Sequence, residues 1–229
     1  MKVAIMQPYF FPYLGYFQLI AAVDVFVIFD DVNYINKGWI NRNNILANGR
    51  AQPINLALGN RSQNLLINQI DVLDTGVKLL KTLAQNYGKA RQFQIEYPML
   101  EAVIQYPDRN LGNYLAHLLK KVCIAMGIKT PMVRSSDLLK DNALKGQERI
   151  VAICKQLQAT HYINPAGGKD LYQREVFSQH ALELSFLQTR AVSYPQFGLP
   201  FVPHLSIIDV LMFNDAAQRL KLLAEYDLT

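Results

Sequence analysis

The chain has 229 residues, enough for one large domain, and 51% of them are hydrophobic, which excludes a disordered protein. The net charge of +5 comes from scattered Lys and Arg without a long basic run. We therefore expect a small anionic ligand, or ordinary surface charge, rather than a nucleic acid partner. No apolar stretch reaches the roughly 18 residues of a membrane span, and the first residues lack a secretory signal. A cytoplasmic protein without a membrane span is predicted.

The beginning of the chain reads as a βαβ unit. Val3–Met6 is a short apolar run typical of a buried parallel strand, Leu14–Ala22 has a helical pattern, and Asp24–Phe29 is a second strand. A strand–helix–strand unit requires parallel pairing with a right-handed crossover. We predict an α/β fold with a Rossmann-like three-layer arrangement around a parallel sheet.

A β-hairpin is predicted next. The segments Trp39–Leu46 and Ala51–Leu58 flank Asn48-Gly49, a pair that favours a type I′ turn because both central residues need positive φ. This hairpin should project from the sheet.

A mainly helical segment follows. Helical periodicity covers Gly76–Gln85 and Asn110–Met126, and we expect breaks at Tyr97-Pro98 and at Tyr106-Pro107-Asp108. The predicted organisation is one α/β domain over residues 1–229, with residues 75–127 as a mainly helical insertion or subdomain.

Strands and helices alternate again after Pro131. The predicted strands are 132–134, 161–164 and 182–187, and the predicted helices are 145–156, 168–177 and 206–213.

The loop after the first strand is the first candidate site. Ligands of open parallel sheets bind at the carboxyl ends of strands, where Gln7 offers an amide that donates and accepts. Gly15 permits close approach of another backbone or of a phosphate, and it lies at the helix start, where free N–H groups attract anions. The aromatic residues around them, including Tyr9, are favoured as packing.

This turn is similar to the HIGH-type turn of nucleotidylyltransferases, in which two histidines contact phosphates. Tyr13 and Tyr16 stand at the histidine positions here. Tyrosine can hydrogen-bond a phosphate but is not a cation near neutral pH. A nucleotide cradle without nucleotidyl transfer is one interpretation of this turn.

Two carboxylates, Asp30 and Asp31, end the second predicted strand and precede a polar loop. That loop contains Asn33, Lys37, Trp39, Asn41, Arg42, Asn43 and Asn44. Asp31 is a candidate general base or metal ligand, Lys37 and Arg42 are candidate anion clamps, and Trp39 is a candidate stacking surface. The alternative is a charged loop with an Asp30–Arg42 ion pair.

A third candidate site combines Lys145 and Arg149, one helical turn apart, with the turn after the strand ending at Asn164. In that turn, the backbone amides of Gly167 and Gly168, followed by Tyr172, are suited to an anion. The alternative is a simple turn capped by Asn164.

Near the end of the chain, Ser206 and Asp209 have the spacing of a helix capping box. His204, just before it, is the candidate general acid or base among the four histidines. Cys123 and Cys154 lack metal-ligand spacing, and neither a catalytic triad nor a metal motif can be assembled, so no metal is predicted.

Taken together, these segments resemble the WbqC-like family, named for a protein associated with bacterial O-antigen and surface-polysaccharide gene clusters. The resemblance runs through most of the chain, and its most specific parts are the opening loop and Trp39-x-x-Arg42-Asn43. Its other parts are Asp24-Val25-Phe26, Asp30-Asp31-Val32, Tyr162, Gly167-Gly168, Tyr172 and Leu205–Leu211.

The resemblance implies a transferase that modifies a nucleotide-activated sugar, by acylating or aminoacylating an amino sugar. Asp31 or His204, with Asp30 beside them, would take the proton. No cofactor is firmly implied beyond a nucleotide or an activated acyl donor, and a homo-oligomer stays open. The substrate-binding candidates are Gln7, Tyr9, Gly15, Tyr16, Lys37, Trp39, Arg42, Asn43, Lys145, Arg149, Asn164, Gly167, Gly168 and Tyr172.

Two other functions remain open from the sequence. A nucleotidylyltransferase or ATP-dependent ligase would use the HIGH-like turn, and a non-catalytic sugar-binding or scaffold protein would need no catalytic triad.

Overall fold

The computed structural model describes residues 1–73, 76–198 and 200–229, and it has the predicted α/β architecture. β1 (Lys2–Met6), α1 (Leu14–Ala21) and β2 (Val25–Ile28) form the predicted βαβ unit, because β1 and β2 pair in parallel. The other strands of the main sheet are β5 (Met132–Arg134), β6 (His161–Pro165), β7 (Glu183–Thr189) and β8 (Tyr226–Leu228).

The main sheet has the strand order β5-β2-β1-β6-β7-β8. Its first five strands are parallel, and β8 pairs antiparallel with β7. The order runs outward from β1 in both directions, so the topological switch point of the sheet lies between β1 and β6. In doubly wound folds this is where a crevice opens at the carboxyl ends of the strands.

Helices cover both faces of the sheet. Along β1, Ala4 belongs to the larger core, whereas Val3 and Ile5 belong to the smaller one, as the alternation of side chains along a strand requires. The smaller core includes α5 (Gly146–Gln156) and α6 (Arg174–Ser178), and the larger core includes the other helices. The predicted three-layer arrangement is confirmed.

The hairpin is also confirmed, as β3 (Arg42–Ala47) and β4 (Arg50–Asn55). Asn48 and Gly49 have φ of 50° and 71°, the two positive values that a type I′ turn requires. Each strand is shorter than predicted. The first starts at Arg42 because this side chain donates to the carbonyls of Gly38 and Lys37 and holds the preceding residues in a closed loop.

The helical segment contains one more helix than predicted. Its members are α2 (Val77–Tyr87), α3 (Phe93–Ile104) and α4 (Leu111–Ala125). The predicted break at Pro98 is wrong, because Pro98 lies inside α3. Pro98 and Gln94, one turn before it, are both exposed, so water can serve the Gln94 carbonyl that proline leaves without an amide partner.

The second predicted break, at Tyr106-Pro107-Asp108, does separate two helices, and the Asn110 side chain caps α4 by accepting from the Asn113 amide at 3.1 Å. Side chains of all three helices share one core with the sheet. The division into a domain and an insertion stays a prediction, and residue 75, its proposed start, lies outside the described residues.

Two regions near the end of the chain differ from the sequence-based expectation. The predicted helix 168–177 is a 3-10 helix, Ala166–Leu171, followed by the short α6. The helices α7 (Ile207–Phe213) and α8 (Ala216–Leu223) come last, and α8 and β8 were not predicted. The buried Arg219 fixes α8, because it pairs with Glu96 of α3 at 2.7 Å and donates to the carbonyls of Asn214, Ala125 and Leu211.

The predicted capping box is half right. Ser206 caps α7 by accepting from the Ile208 amide at 3.2 Å. Asp209 does not return a bond to the Ser206 amide, which donates to the Asn44 carbonyl instead. The buried Asp209 carboxylate accepts from Tyr87 Oη at 2.9 Å, Tyr194 Oη at 2.7 Å and Gln196 Nε2 at 2.8 Å. It therefore ties the segment before α7 to α2.

Arg219 should carry a large share of the stability of the last helix. Arg219→Leu leaves Glu96 buried without its partner, and we expect a loss of about 3–5 kcal/mol in the free energy of unfolding. Arg190→Leu, which removes an exposed ion pair with Asp227, should cost much less. Urea denaturation of both variants checks this, and equal losses would contradict it.

Asp209 should make stability depend on pH. Burial raises the pKa of its carboxyl, although the three donors act in the opposite direction. The folded chain thus holds this proton more tightly than the unfolded chain, so stability falls as pH rises through and above the unfolded value of about 4. Compared with Asp209→Asn, which carries no such charge, the native chain should lose unfolding free energy between pH 4 and pH 7. A constant difference across this range would sink the idea.

Candidate functional site

Two cavities lie at the carboxyl edge of the sheet, where ligands of doubly wound folds bind. The basic cavity, of about 880 Å³, lies beyond the ends of β2 and β5 and is lined by residues that include Asp31, Asn68, Gln69, Ser136, Lys140, Lys145, Gly146, Gln147, Arg149 and Tyr172. The switch-point cavity, of about 590 Å³, lies beyond β6 and β7 at the start of α1.

An ion cluster centred on Asp31 forms one wall of the basic cavity. Asp31 follows β2, and its Oδ2 lies 2.6 Å from Lys140 Nζ and 2.8 Å from Arg149 Nη2. The cluster is desolvated, since the Lys140 side chain is only 3% exposed. With Lys145, three cations face one carboxylate, so the cavity carries a net positive charge.

The N-terminus of α5 opens into the same cavity. Lys145 occupies the N-cap position without a side-chain cap bond, and Gly146 follows with φ of 53°. The first amides of a helix lack intrahelical acceptors and carry the positive end of the helix dipole. Helix amides, lysine and arginine together are a typical phosphate-binding set.

Two atoms of the ion cluster are buried without a partner among the described residues: Asp31 Oδ1, an acceptor, and Arg149 Nε, a donor. Buried polar groups are normally satisfied, so such atoms require an explanation. The contacts of Asp31 suit a counter-ion that orients Lys140 and Arg149. Its predicted role as a base stays a prediction.

Asp30 lies beside this cluster but faces the protein interior. It is fully buried and accepts from the Ser136 amide at 3.0 Å and the Ser136 hydroxyl at 2.7 Å, which joins the ends of β2 and β5. The alternative of an Asp30–Arg42 ion pair is wrong, because the Arg42 guanidinium is held by the carbonyls of its own loop.

The opening loop is mostly packed. Gln7 follows β1, and its backbone carbonyl accepts a hydrogen bond from the hydroxyl of the buried Tyr16 at 2.8 Å. A Cβ on Gly15 would lie 2.5 Å from both Thr189 Oγ1 and the Tyr13 ring, so this glycine serves close helix–strand packing. Burial raises the pKa of Tyr9 to about 12, which keeps its hydroxyl protonated.

An aromatic shelf, of about 270 Å³, adjoins this loop; we define it by Tyr9, Pro12, Tyr13, Trp39, Asn43, Asn44 and His204. Trp39 as a whole residue is 46% exposed, and the Arg42 guanidinium lies 5.7 Å from the centre of its ring. The buried side-chain amide of Asn43 donates to the backbone carbonyls of Phe10 and Phe11 and so joins the hairpin to the opening loop beside the shelf. Lys37 is exposed in the neighbouring loop, with φ of 62°.

His204 lies where the shelf and the switch-point cavity meet, since it lines both. Its φ of 57° is unusual for a residue other than glycine, and such conformations cluster at functional sites. The exposed imidazole is therefore in position to exchange a proton with a ligand on the shelf.

The residues of the turn after β6 line two different cavities. Gly167 lines the switch-point cavity, and Tyr172 lines the basic cavity with its hydroxyl 3.3 Å from that of Tyr162. Gly168 packs directly on the Asn164 side chain, which accepts from Tyr162 Oη at 3.2 Å. Asn164 does not cap the 3-10 helix that follows, so that alternative is wrong.

The predicted site residues that line a cavity thus fall into three groups, and the others line none of the three: Gln7, Tyr16, Asp30, Lys37, Arg42, Asn164 and Gly168. The basic cavity collects Asp31, Lys145, Arg149 and Tyr172; the switch-point cavity collects Gly15, Gly167 and His204; the shelf collects Tyr9, Trp39, Asn43 and His204. Sequence reasoning missed Lys140, Asn68, Gln69 and Gln147. Lys140 could have been found as a cation shortly after the third parallel strand, where the chain again reaches the carboxyl edge.

No group of three or more His, Cys, Asp or Glu side chains within residues 1–73, 76–198 and 200–229 is placed to hold a metal ion. In the same ranges, every helix is too short or too polar to cross a membrane.

Comparison with known proteins gives the family. The chain is 31% identical over 223 residues to the uncharacterized protein Rv1507c of Mycobacterium tuberculosis, covering 95% of each chain. No solved structure shows significant similarity. The model of the WbqC-like protein family matches residues 7–220, which include the opening loop, both cavities and His204. The chain belongs to the WbqC-like protein family.

Proposed function

We propose that the chain is a transferase that modifies a nucleotide-activated amino sugar, by acyl or aminoacyl transfer, in surface-polysaccharide biosynthesis. The observation that carries the proposal is the basic cavity, which is lined by Lys140, Lys145, Arg149 and the uncapped N-terminus of α5. A nucleotide diphosphate is the ligand class that such a set of donors favours.

The diphosphate lies in the basic cavity in this proposal, rather than at the first turn of the chain. Three cations against Asp31 leave positive charge for an anion, and the desolvated position of Lys140 strengthens each charge interaction. The tight packing around Gly15 argues against a phosphate at the first turn.

The sugar occupies the aromatic shelf. The exposed face of Trp39 and the ring of Tyr9 offer the flat apolar surface on which sugar rings stack. His204 at the edge of the shelf takes the proton from the attacking amine. The new C–N bond forms as the bond between the acyl carbon and its carrier breaks, and the proton is then delivered to the carrier.

Nucleotidyl transfer through the HIGH-like turn has less support. Of its two tyrosines, Tyr13 lines a cavity, but Tyr16 is buried and its hydroxyl donates to the backbone carbonyl of Gln7. Only one of the two positions that contact phosphates in such turns is open to a ligand.

Lys145 should contribute to nucleotide-sugar affinity. UDP- and dTDP-linked amino sugars should bind in isothermal titration calorimetry, and Lys145→Gln should weaken binding about tenfold through the loss of one charge-assisted hydrogen bond. Lys155→Gln is the matched control, because Lys155 lies in the last turn of the same helix. Absence of binding by either sugar class, or equal losses in both variants, would count against the proposal.

His204 should act on turnover and not on binding. Asn populates the left-handed backbone region more readily than most residues, so His204→Asn removes the imidazole with little change of conformation. We expect transfer of an acetyl group from a thioester to the amino sugar, followed by mass spectrometry, to slow by about a hundredfold or more. The dissociation constant of the nucleotide-sugar should stay unchanged; unaltered turnover would exclude His204 as the base.

A further inference from the structure

The switch-point cavity differs in chemistry from the basic cavity. The difference lies in charge, because the basic cavity is lined by Lys140, Lys145 and Arg149, whereas Arg190 is the one Lys or Arg among the described residues that lines the switch-point cavity. The volume of the switch-point cavity, about 590 Å³, is in the range of small-molecule sites. The apolar walls are formed by Leu14, Leu187, Val192, Phe201, Leu205 and Val210. Tyr13, Thr189 and His204 provide polar groups.

The charge at this cavity is already balanced. Arg190 lines the cavity, and its guanidinium is held by both Asp227 carboxylate oxygens and lies 3.7 Å from Glu225. No acidic side chain lines the cavity within the described residues. An anion would find no unpaired Lys or Arg there, whereas an uncharged apolar group loses nothing by leaving water.

The cavity lies beside the proposed sugar site. It opens at the switch point, and His204 belongs both to it and to the aromatic shelf. Along the sheet, three strand spacings separate the middle of the β5–β2 pair from that of the β6–β7 pair, which is about 14 Å. Both cavities therefore open on the same edge of the sheet.

We propose that the switch-point cavity binds the uncharged acyl group of a thioester donor; this rests on the proposed transferase function. The carboxyl edge then sorts two substrates by charge. The nucleotide diphosphate binds in the basic cavity, and the acyl chain binds in the switch-point cavity. The two meet at His204.

Gly167 is a position at the rim of the cavity where a larger side chain can be added without a clash. It lines the cavity, its φ is not in the left-handed region, and a Cβ built on it meets no atom within 4 Å. A Cβ built on Gly198 also meets no atom within 4 Å, but Gly198 does not line this cavity. Gly198→Leu is therefore the matched control for Gly167→Leu. Gly167→Val is a smaller second variant if the leucine variant does not fold by circular dichroism.

The experiment titrates two probes into the native chain and the variants. The first probe is a series of N-acetylcysteamine thioesters from acetyl to hexanoyl, which are uncharged, and the second is a UDP-linked amino sugar. Thioester affinity should rise about fourfold for each added methylene while the chain lies in the cavity. Gly167→Leu should lower it at least tenfold, and Gly198→Leu and Lys145→Gln should leave it unchanged.

The two probes separate this proposal from the transferase proposal. Nucleotide-sugar affinity should fall in Lys145→Gln and not in Gly167→Leu. Thioesters that do not bind, or that bind equally well to Gly167→Leu, would overturn the acyl cavity even if the nucleotide-sugar binds. A loss of nucleotide-sugar binding in Gly167→Leu would mean that the nucleotide binds in this cavity. That result would also overturn the proposal that the cavity binds the acyl group. Failure of the nucleotide-sugar alone to bind would refute the transferase proposal and, because the acyl cavity rests on it, the present one as well.

Discussion

The outward strand order from β1 determines where this protein can hold a ligand. The helices after β1 and β2 pack on one face of the sheet, whereas α5 and α6, which follow β5 and β6, pack on the other. Chains that leave neighbouring strands toward opposite faces leave a crevice between them at the carboxyl edge. The basic cavity, the switch-point cavity and the aromatic shelf all lie along this edge or on the loops that rise from it.

Charge is distributed unevenly along that edge. Beyond β2 and β5, Asp31 gathers Lys140 and Arg149 on one carboxylate oxygen, which holds two cations close together against their mutual repulsion. Beyond β7, Arg190 is neutralised by Asp227 of β8 and by Glu225 of the turn between α8 and β8, and the cavity there has no unpaired Lys or Arg among its described residues. The ion pairs of Asp31 are buried, and a low-dielectric surrounding strengthens them, whereas the pairs of Arg190 are exposed and weak.

Buried polar side chains hold the loops that form the site. Asp209 ties Tyr194 and Gln196, which precede α7, to Tyr87 of α2, and Tyr87 also accepts from the Leu46 amide of the hairpin. Tyr194 in turn lines the switch-point cavity. The loop that carries His204 is therefore held by contacts to α2, α7 and the hairpin.

Local patterns in the sequence were sufficient for the elements whose signals are local: the βαβ unit, the Asn48-Gly49 turn and the Ser206 cap each depend on a few neighbouring residues. They failed at Pro98, whose exposed position lets α3 continue. The start of α8 does carry a local signal, because Asp215 and Gln218 form a capping box there, and the prediction overlooked it. Residue type and a place at a strand or helix end were enough to recognise four site candidates: Asp31, Lys145, Arg149 and His204. Only the tertiary structure decided that Asp31 binds Lys140 and Arg149, and that Gly15 packs closely on Thr189 and Tyr13. These facts join residues far apart in the chain, and no local pattern encodes such distances.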